Sequence, residues 1–185
     1  MRTLLAILVA LVLCPPAAAY TSHDFNGSKT LLVGDSHTWI AVNFLSGLYP
    51  AWDIDAQPSR TSTGGLEVID AYLRPRHQRV IFDLATNDYA QPTKLRANLR
   101  ALWQDLGDRT LALVTSYRRD GNEIGPVNRV LRRFADNRRR ATLVNWRAEA
   151  KQHPSYLSAD LIHFTPEGYK RRVQIIRNQG GPFGR

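Results

Sequence analysis

"LLVGDSHTW", residues 31–39, starts as an apolar run and ends as something else, and that change decides the fold. Leu31, Leu32 and Val33 read as a buried strand. Gly34 lets the chain turn, and Asp35 and Ser36 are short polar residues of the kind that satisfy the orphan N–H groups of a starting helix. The stretch is therefore a strand, a turn and a helix start. It leaves Ser36 with two readings, a helix cap or a nucleophile displayed at the end of a strand, because both need the same local geometry.

The same signature recurs. Thr30 to Val33 is the first of five short apolar runs, followed by Trp52 to Asp55, Arg79 to Leu84, Thr110 to Thr115 and Ala141 to Asn145. They are continuous rather than alternating, as strands covered on both faces are. Between them the period changes. Leu95, Leu99, Leu102 and Leu106 recur at spacings of four, three and four, so Thr93 to Leu106 reads as an amphipathic helix. Val127, Val130, Leu131 and Phe134 mark another after Pro126, and Leu66, Ile69 and Leu73 a third that Pro75 ends. A last helix opens with Thr165 as N-cap and Pro166 at its first position, with Tyr169, Val173 and Ile176 on one face. Alternating strands and helices predict an α/β fold with a five-stranded parallel sheet covered on both sides. In such sheets functional groups gather beyond the carboxyl ends of the strands. Ser36, Ser59, Asn87, Ser116 and Asn145 all fall there.

Residues 1–19 read as a secretory signal peptide: Arg2, an apolar core from Leu4 to Leu13, then small residues before a cut at Ala19. The core is shorter than the roughly 20 residues a membrane-spanning helix needs. A retained anchor, or lipid attachment at Cys14, is the alternative. Removing residues 1–19 takes away one arginine and no acid, so the charge falls from +9 to +8 and no cysteine remains. Residues 20–185 then form one domain, periplasmic or secreted, that folds without a disulfide and is expected to be monomeric. Six arginines lie between Arg129 and Arg140, enough for an anionic partner such as wall polymer or lipid headgroups, or simply a solvated face. No zinc-finger spacing, helix-turn-helix pattern or aromatic platform accompanies them, so nucleic acid is not expected.

A serine nucleophile needs a base, and the base needs a group that fixes its tautomer. Among the histidines, His163 has a carboxylate, Asp160, three residues upstream in an irregular segment before the last helix. One turn brings that carboxylate to Nδ1 and leaves Nε2 for Ser36. The bland reading is a helix-entry loop that satisfies its own backbone. Attack also needs donors where charge develops on the carbonyl oxygen. The Ser36 N–H, at a helix start, is one candidate. The amide of Asn87 is another, although an Asx turn explains Asn87 equally well. A third donor has to come from "DAQPSRTSTGG", residues 55–65.

These residues coincide with a pattern. From Thr30 to about Ile176 the chain resembles the SGNH hydrolase superfamily, the GDSL-type esterases and lipases, through "GDSH" at 34–37, "TND" at 86–88 and "DLIH" at 160–163. "GDSHT" and "DLIHFTPEGY" further resemble extracytoplasmic bacterial SGNH domains associated with O-acetyl transfer on glycans. The resemblance implies a flavodoxin-like three-layer α/β/α sandwich. It implies a catalytic triad of Ser36, His163 and Asp160, with Asn87 and the Ser36 N–H in the oxyanion hole. Two positions depart from the family. Ala85 stands where its third block has glycine, and Ser59 stands in place of the second-block glycine, which makes the Ser59 N–H the favoured third donor, with Gly64 or Gly65 as alternatives. His37 and Arg60 are candidate substrate contacts, each also readable as scaffold.

The expected activity is hydrolysis of short acyl esters, acetate foremost, on a small molecule or on wall or extracellular glycan. No metal or organic cofactor is called for, since neither a phosphate-cradling glycine loop nor an HExxH-type cluster is present. An enzymatic alternative is acyl transfer to a glycan hydroxyl, with a membrane protein supplying the acyl group. A third reading, from another class, is a non-catalytic secreted protein that binds an anionic polymer.

Overall fold

The computed structural model describes residues 22–45 and 47–180. The signal peptide expected over residues 1–19, its cut at Ala19 and Cys14 lie outside the described residues. Among the described residues six strands form one sheet: β1 (Ser22–Asp24), β2 (Thr30–Gly34), β3 (Asp53–Ala56), β4 (Arg79–Asp83), β5 (Thr110–Val114) and β6 (Ala141–Val144), in the spatial order β1-β3-β2-β4-β5-β6. Six helices cover it: α1 (Ser36–Phe44), α2 (Ser62–Tyr72), α3 (Pro92–Asp105), α4 (Gly125–Asp136), α5 (Trp146–Gln152) and α6 (Pro166–Gln179). The architecture is a three-layer α/β/α sandwich.

The sheet corrects the expectation of five parallel strands. It has six and is mixed, because β1 pairs antiparallel with β3, placing His23 opposite Asp55. β1 reads "SHD", a polar segment with no apolar period to announce it. Its presence follows from β3, "DIDA", whose Asp53 and Asp55 are fully buried. Asp55 faces His23 Nδ1 at 2.5 Å, and the backbone N–H groups of Asn26 and Ser28, just after β1, donate to Asp53 Oδ1 at 2.8 and 2.9 Å. The short edge strand and its following turn thus cover carboxylates that would otherwise lie at an open sheet edge.

The continuous apolar runs divide between the faces by strand periodicity. Leu31 and Val33 pack with Val80, Phe82, Leu111 and the buried faces of α2, α3 and α4. Leu32 packs with Ile54, Ile81, Ala112 and the buried residues of α1, α5 and α6. The heptad-like leucines of α3, Leu95, Leu99 and Leu102, are all buried, and Thr165 caps α6 as expected, accepting from the Gly168 N–H at 3.3 Å. The short helix α5 was not legible, since seven residues show too little of a period.

Register decides where the loops meet. Gly34 at the end of β2 pairs with Ala56 of β3 on one side and Asp83 of β4 on the other. The segments that follow these strands therefore emerge side by side, and they carry Ser36, Ser59 and Asn87.

Candidate active site

Asp35, not Ser36, caps α1: its Oδ1 accepts the His37 N–H at 3.0 Å. Ser36 is left at the first helical position, half-buried, with its hydroxyl uncommitted to the helix. Gly34 allows the sharp entry. A Cβ there would lie 2.3 Å from Thr38 Oγ1 and 2.4 Å from Thr38 Cβ, so the helix folds back onto the strand end only over a bare α-carbon.

The hydroxyl meets an imidazole from 127 residues away in sequence. His163 Nε2 lies 3.0 Å from Ser36 Oγ, and His163 Nδ1 lies 2.6 Å from Asp160 Oδ2. A carboxylate only accepts, so Nδ1 carries the proton and Nε2 is the acceptor for the serine hydroxyl. The other oxygen, Asp160 Oδ1, accepts from the N–H groups of Ile162 and His163 at 2.9 Å each and from Ser158 Oγ at 2.8 Å. Partial burial raises the carboxyl, but these hydrogen bonds, His163 foremost, more than offset it and hold Asp160 well below the ordinary carboxylate range. The result is a standing anion behind the imidazole.

Asn87 lies in a short 3-10 turn after β4, and its side-chain amide donates to the Arg60 carbonyl at 3.0 Å, leaving its second N–H available. The next residue, Asp88, accepts the Ser62 N–H at 2.7 Å and the Ser62 hydroxyl at 2.9 Å. "TND" therefore clamps the end of the loop after β3 where it enters α2. Within that loop the Arg60 N–H bonds the Gln57 carbonyl at 3.3 Å, Pro58 is second in the turn, and Ser59 is third with φ of 61°. That is the pattern of a type II turn, in which glycine favours the third position. Ser59 thus occupies a glycine's conformation with its side chain exposed. Gly65 donates its N–H to the Thr61 carbonyl at 3.0 Å, and a Cβ on it would come within 2.0 Å of Leu84 Cδ1, so it serves the packing of α2 on the sheet. Gly64 lies in the first turn of α2, lining a cavity of about 400 Å3 with Ser59 and Arg60.

Two candidate substrate contacts are placed inside the protein instead. His37 is 1% exposed. Its Nε2 donates to the Ile162 carbonyl at 3.0 Å, so Nδ1 must accept, from Thr86 Oγ1 at 3.1 Å, and Thr86 in turn accepts from Ser116 Oγ at 2.8 Å. Burial, with the nearby Arg172 charge, pushes His37 down to about 3, and Asp83 only partly opposes them. It is a neutral strut between the helix of Ser36 and the loop of His163. Arg60 is 7% exposed. It pairs with Asp55 at 2.5 Å and donates to the carbonyls of Gly34 and Asp55 at 3.2 and 3.0 Å, which ties the ends of β2 and β3 together. Of the two readings open to each, the scaffold one fits this placement; burial by distant elements gives no local signal.

Some neighbours of the site escaped the sequence reading. Arg118 donates to the Thr86 carbonyl at 3.1 Å, lies over the Tyr89 ring at 4.6 Å and pairs with Asp120. The Arg119 N–H donates to the Leu161 carbonyl at 2.8 Å, fastening the loop of Asp160 and His163 from outside. Beyond Ser116, the segment after β5 has no period and no motif to mark Arg118 or Arg119.

A Ser–His–Asp relay at the carboxyl edge of an α/β sandwich defines a class, that of serine enzymes handling acyl groups. In sequence the chain is similar to bacterial OatA-type O-acetyltransferases, and in fold to SGNH/GDSL hydrolases. It is 28% identical over 150 residues to YrhL of Bacillus subtilis, covering 80% of this chain and 23% of that protein. It is 26% identical over 161 residues to the O-acetyltransferase OatA of Staphylococcus aureus, covering 85% and 26%. The chain thus spans about a quarter of the length of the curated relatives it matches. Among solved structures it resembles the C-terminal catalytic domain of the Streptococcus pneumoniae peptidoglycan O-acetyltransferase OatA, determined with a methylsulfonyl adduct. That likeness has a TM-score of 0.70 and 22% identity over 81% of this chain and 90% of that one. No family model matches the sequence.

Proposed function

We propose that the protein is an extracytoplasmic serine acyltransferase that moves acetyl groups onto hydroxyls of wall glycan, with Ser36 as nucleophile. The observation that carries the proposal is the unbroken line from Ser36 Oγ to His163 Nε2 and from His163 Nδ1 to Asp160. Kinship with O-acetyltransferases supports transfer over hydrolysis.

In this reading Ser36 Oγ attacks the acyl carbon while His163 Nε2 takes its proton, and Asp160 supports the imidazolium. The N–H groups of Ser36 and Ser59 and the free N–H of Asn87 receive the oxyanion. The leaving alkoxide takes the proton back from Nε2, and the acyl group stays on Ser36. A glycan hydroxyl then gives its proton to Nε2 as it attacks, which frees the serine. Residues 1–19, read as a leader, fit export, and a separate membrane protein would deliver the acyl group to the site.

Hydrolysis is the second reading, and one observation favours it. The His163 and Asp160 side chains are 31% and 49% exposed, so water reaches the base. The deciding experiment gives the full chain p-nitrophenyl acetate with rising concentrations of chito-oligosaccharide. Transfer predicts acetylated oligosaccharide at the expense of free acetate; free acetate alone at every acceptor concentration would leave an esterase. In either case Ser36→Ala should lower turnover by about 10^4-fold or more, as loss of a nucleophile does. Covalent labelling by a sulfonyl fluoride at any other serine would overturn the assignment.

A further inference from the structure

Away from the catalytic edge, α3 and α4 run beside each other and leave a groove between them. Its cavities, about 300 and 150 Å3, share Arg96, Val130 and Arg133 and so form one trough. Arg96 and Arg100 rise from α3 and Arg129 and Arg133 from α4, each pair one helical turn apart. All four are exposed, and among the described residues none of their guanidiniums makes an ion pair or a hydrogen bond. No carboxylate lines the trough. Unpaired guanidiniums in two facing rows repel one another, an arrangement without benefit to the fold.

The trough also leads somewhere. A third cavity of about 120 Å3 shares Arg129, adds Arg132 and Arg147, and is bounded by Thr115 and Asn145. Those two residues follow the carboxyl ends of β5 and β6, the same edge of the parallel sheet from which Ser36 and Asn87 emerge. A basic track therefore connects the outer helical face to the catalytic rim.

We infer that this trough holds a carboxylate-bearing strand of the wall glycan on which the enzyme acts, anchoring the polymer while another part of it reaches Ser36. The inference rests on the glycan reading above. Shape argues for an extended polymer. The floor, Val130 and Phe134, is at most 5% exposed and recessed between the arginines, so no apolar side chain projects to enter a lipid surface. Phe134 is also covered by Arg138, whose guanidinium lies 3.6 Å from the ring centroid, which leaves no free aromatic face for stacking nucleic-acid bases. The α3 helix, at about 1.5 Å per residue over its 14 residues, gives the trough a length of about 20 Å, room for several sugars in a row. Guanidiniums match carboxylates with paired hydrogen bonds, so stem-peptide carboxylates at regular intervals suit two rails of arginine.

The test uses sedimentation with insoluble peptidoglycan and kinetics on two substrates. The variants are Arg96→Glu/Arg133→Glu in the full chain and, as a control of equal charge change on the opposite face, Lys151→Glu/Arg177→Glu. Retention of the fold is checked by circular dichroism, and Arg96→Gln/Arg133→Gln serves if the reversal does not fold. The trough variant should lose about tenfold in binding to peptidoglycan and in kcat/KM on the polymer, through KM. Turnover of p-nitrophenyl acetate should stay unchanged. Wild-type binding should weaken with salt and with peptidoglycan whose carboxyls have been amidated. Equal loss in the control variant, binding that survives amidation, or tighter binding to phosphatidylglycerol vesicles than to peptidoglycan would each overturn the proposal. If no acyl turnover is found but trough-dependent, carboxyl-dependent binding persists, the catalytic reading fails and the anchor stands.

Discussion

The two halves of the relay are held in opposite ways. Ser36 stands on the most deeply rooted part of the molecule. Beneath it Asp35, His37, Thr38 and Asp83 are all buried, and Arg172 of α6 reaches in to pair with Asp83, whose other oxygen accepts from Thr38 Oγ1 at 2.6 Å. His163 and Asp160 sit on an exposed loop that mostly bonds to itself. The Ser158 N–H donates to the His163 carbonyl at 2.9 Å, and Leu161 takes φ of 60° in the turn between Asp160 and His163. Two tethers from outside are visible, the Arg119 N–H on Leu161 and His37 on Ile162. The lesson is a division of labour. The position of Ser36 is a property of the whole fold, and that of His163 is a property of a local loop that the fold merely pins. Changes below Ser36 should therefore be read in stability, and changes around the oxyanion and the loop in turnover.

The sharpest challenge to that division is Arg172→Met. Losing the guanidinium leaves Asp83 and Asp35 buried without their cation, and breaking a buried pair in this way costs about 3–5 kcal/mol. Urea denaturation should show the loss as a lower midpoint at unchanged m. A variant as stable as the wild type would mean that the deep pair does not support the turn at Ser36. Asn87→Ala probes the other side. It removes one proposed oxyanion donor and should cut kcat by about 10^2 to 10^3 while costing only about 1 kcal/mol of stability through the lost bond to Arg60. A fall in activity matched by unfolding would erase the contrast.

The same division explains what could be read in the sequence. The relay was legible because its parts are short motifs: "GDSH" at a strand end, "DLIH" with Asp160 and His163 three residues apart, "TND" after another strand. Strands β2, β4 and β5 were legible because burial on both faces makes continuous apolar runs, and β3 and β6 as shorter runs between helical segments. What failed depends on distant elements. β1 is polar and exists to cover Asp53 and Asp55. His37 and Arg60 were open to a wall or a scaffold reading because each adjoins a site residue, and burial by β3 and the loop of His163 decides for scaffold. Arg118 and Arg119 carry no local pattern. Long-range pairing of polar groups leaves no period in a sequence, and apolar patterning does.

The tether His37 offers a titration that tells the halves apart. In the unfolded chain a histidine takes its proton near pH 6.5, whereas in the fold His37 is pushed down to about 3. Between those values only the unfolded state is protonated, so His37 lowers stability as pH falls through that window, by up to about 1.4 kcal/mol per pH unit. Asp35 acts with the opposite sign, because burial and then the Asp83 charge raise its carboxyl, and folding favours its proton as pH falls. His37→Gln keeps Asp35 and removes the titration, so the difference in slope between wild type and variant isolates His37. The expected outcome is a flatter acid limb for the variant in urea midpoints between pH 6 and 4, and parallel limbs would mean that His37 is protonated in the fold. Because Gln reaches Ile162 less well, kcat at pH 7 should also fall, by less than for Asn87→Ala.

The smallest effect lies in the turn at Ser59. A residue with a Cβ held at φ of 61° is disfavoured by roughly 1 kcal/mol relative to glycine, partly offset by the greater freedom that glycine gives the unfolded chain. Ser59→Gly should therefore be neutral or stabilising by up to about 1 kcal/mol, and Ser59→Val, branched at Cβ in the same conformation, should destabilise. Turnover of p-nitrophenyl acetate separates geometry from chemistry. A backbone donor keeps its N–H in Ser59→Gly, so kcat should stay within about twofold of wild type. A large loss in Ser59→Gly would show that the exposed Ser59 hydroxyl, and not the N–H beneath it, meets the substrate. The turn would then belong with the reacting groups, not with the backbone that frames them.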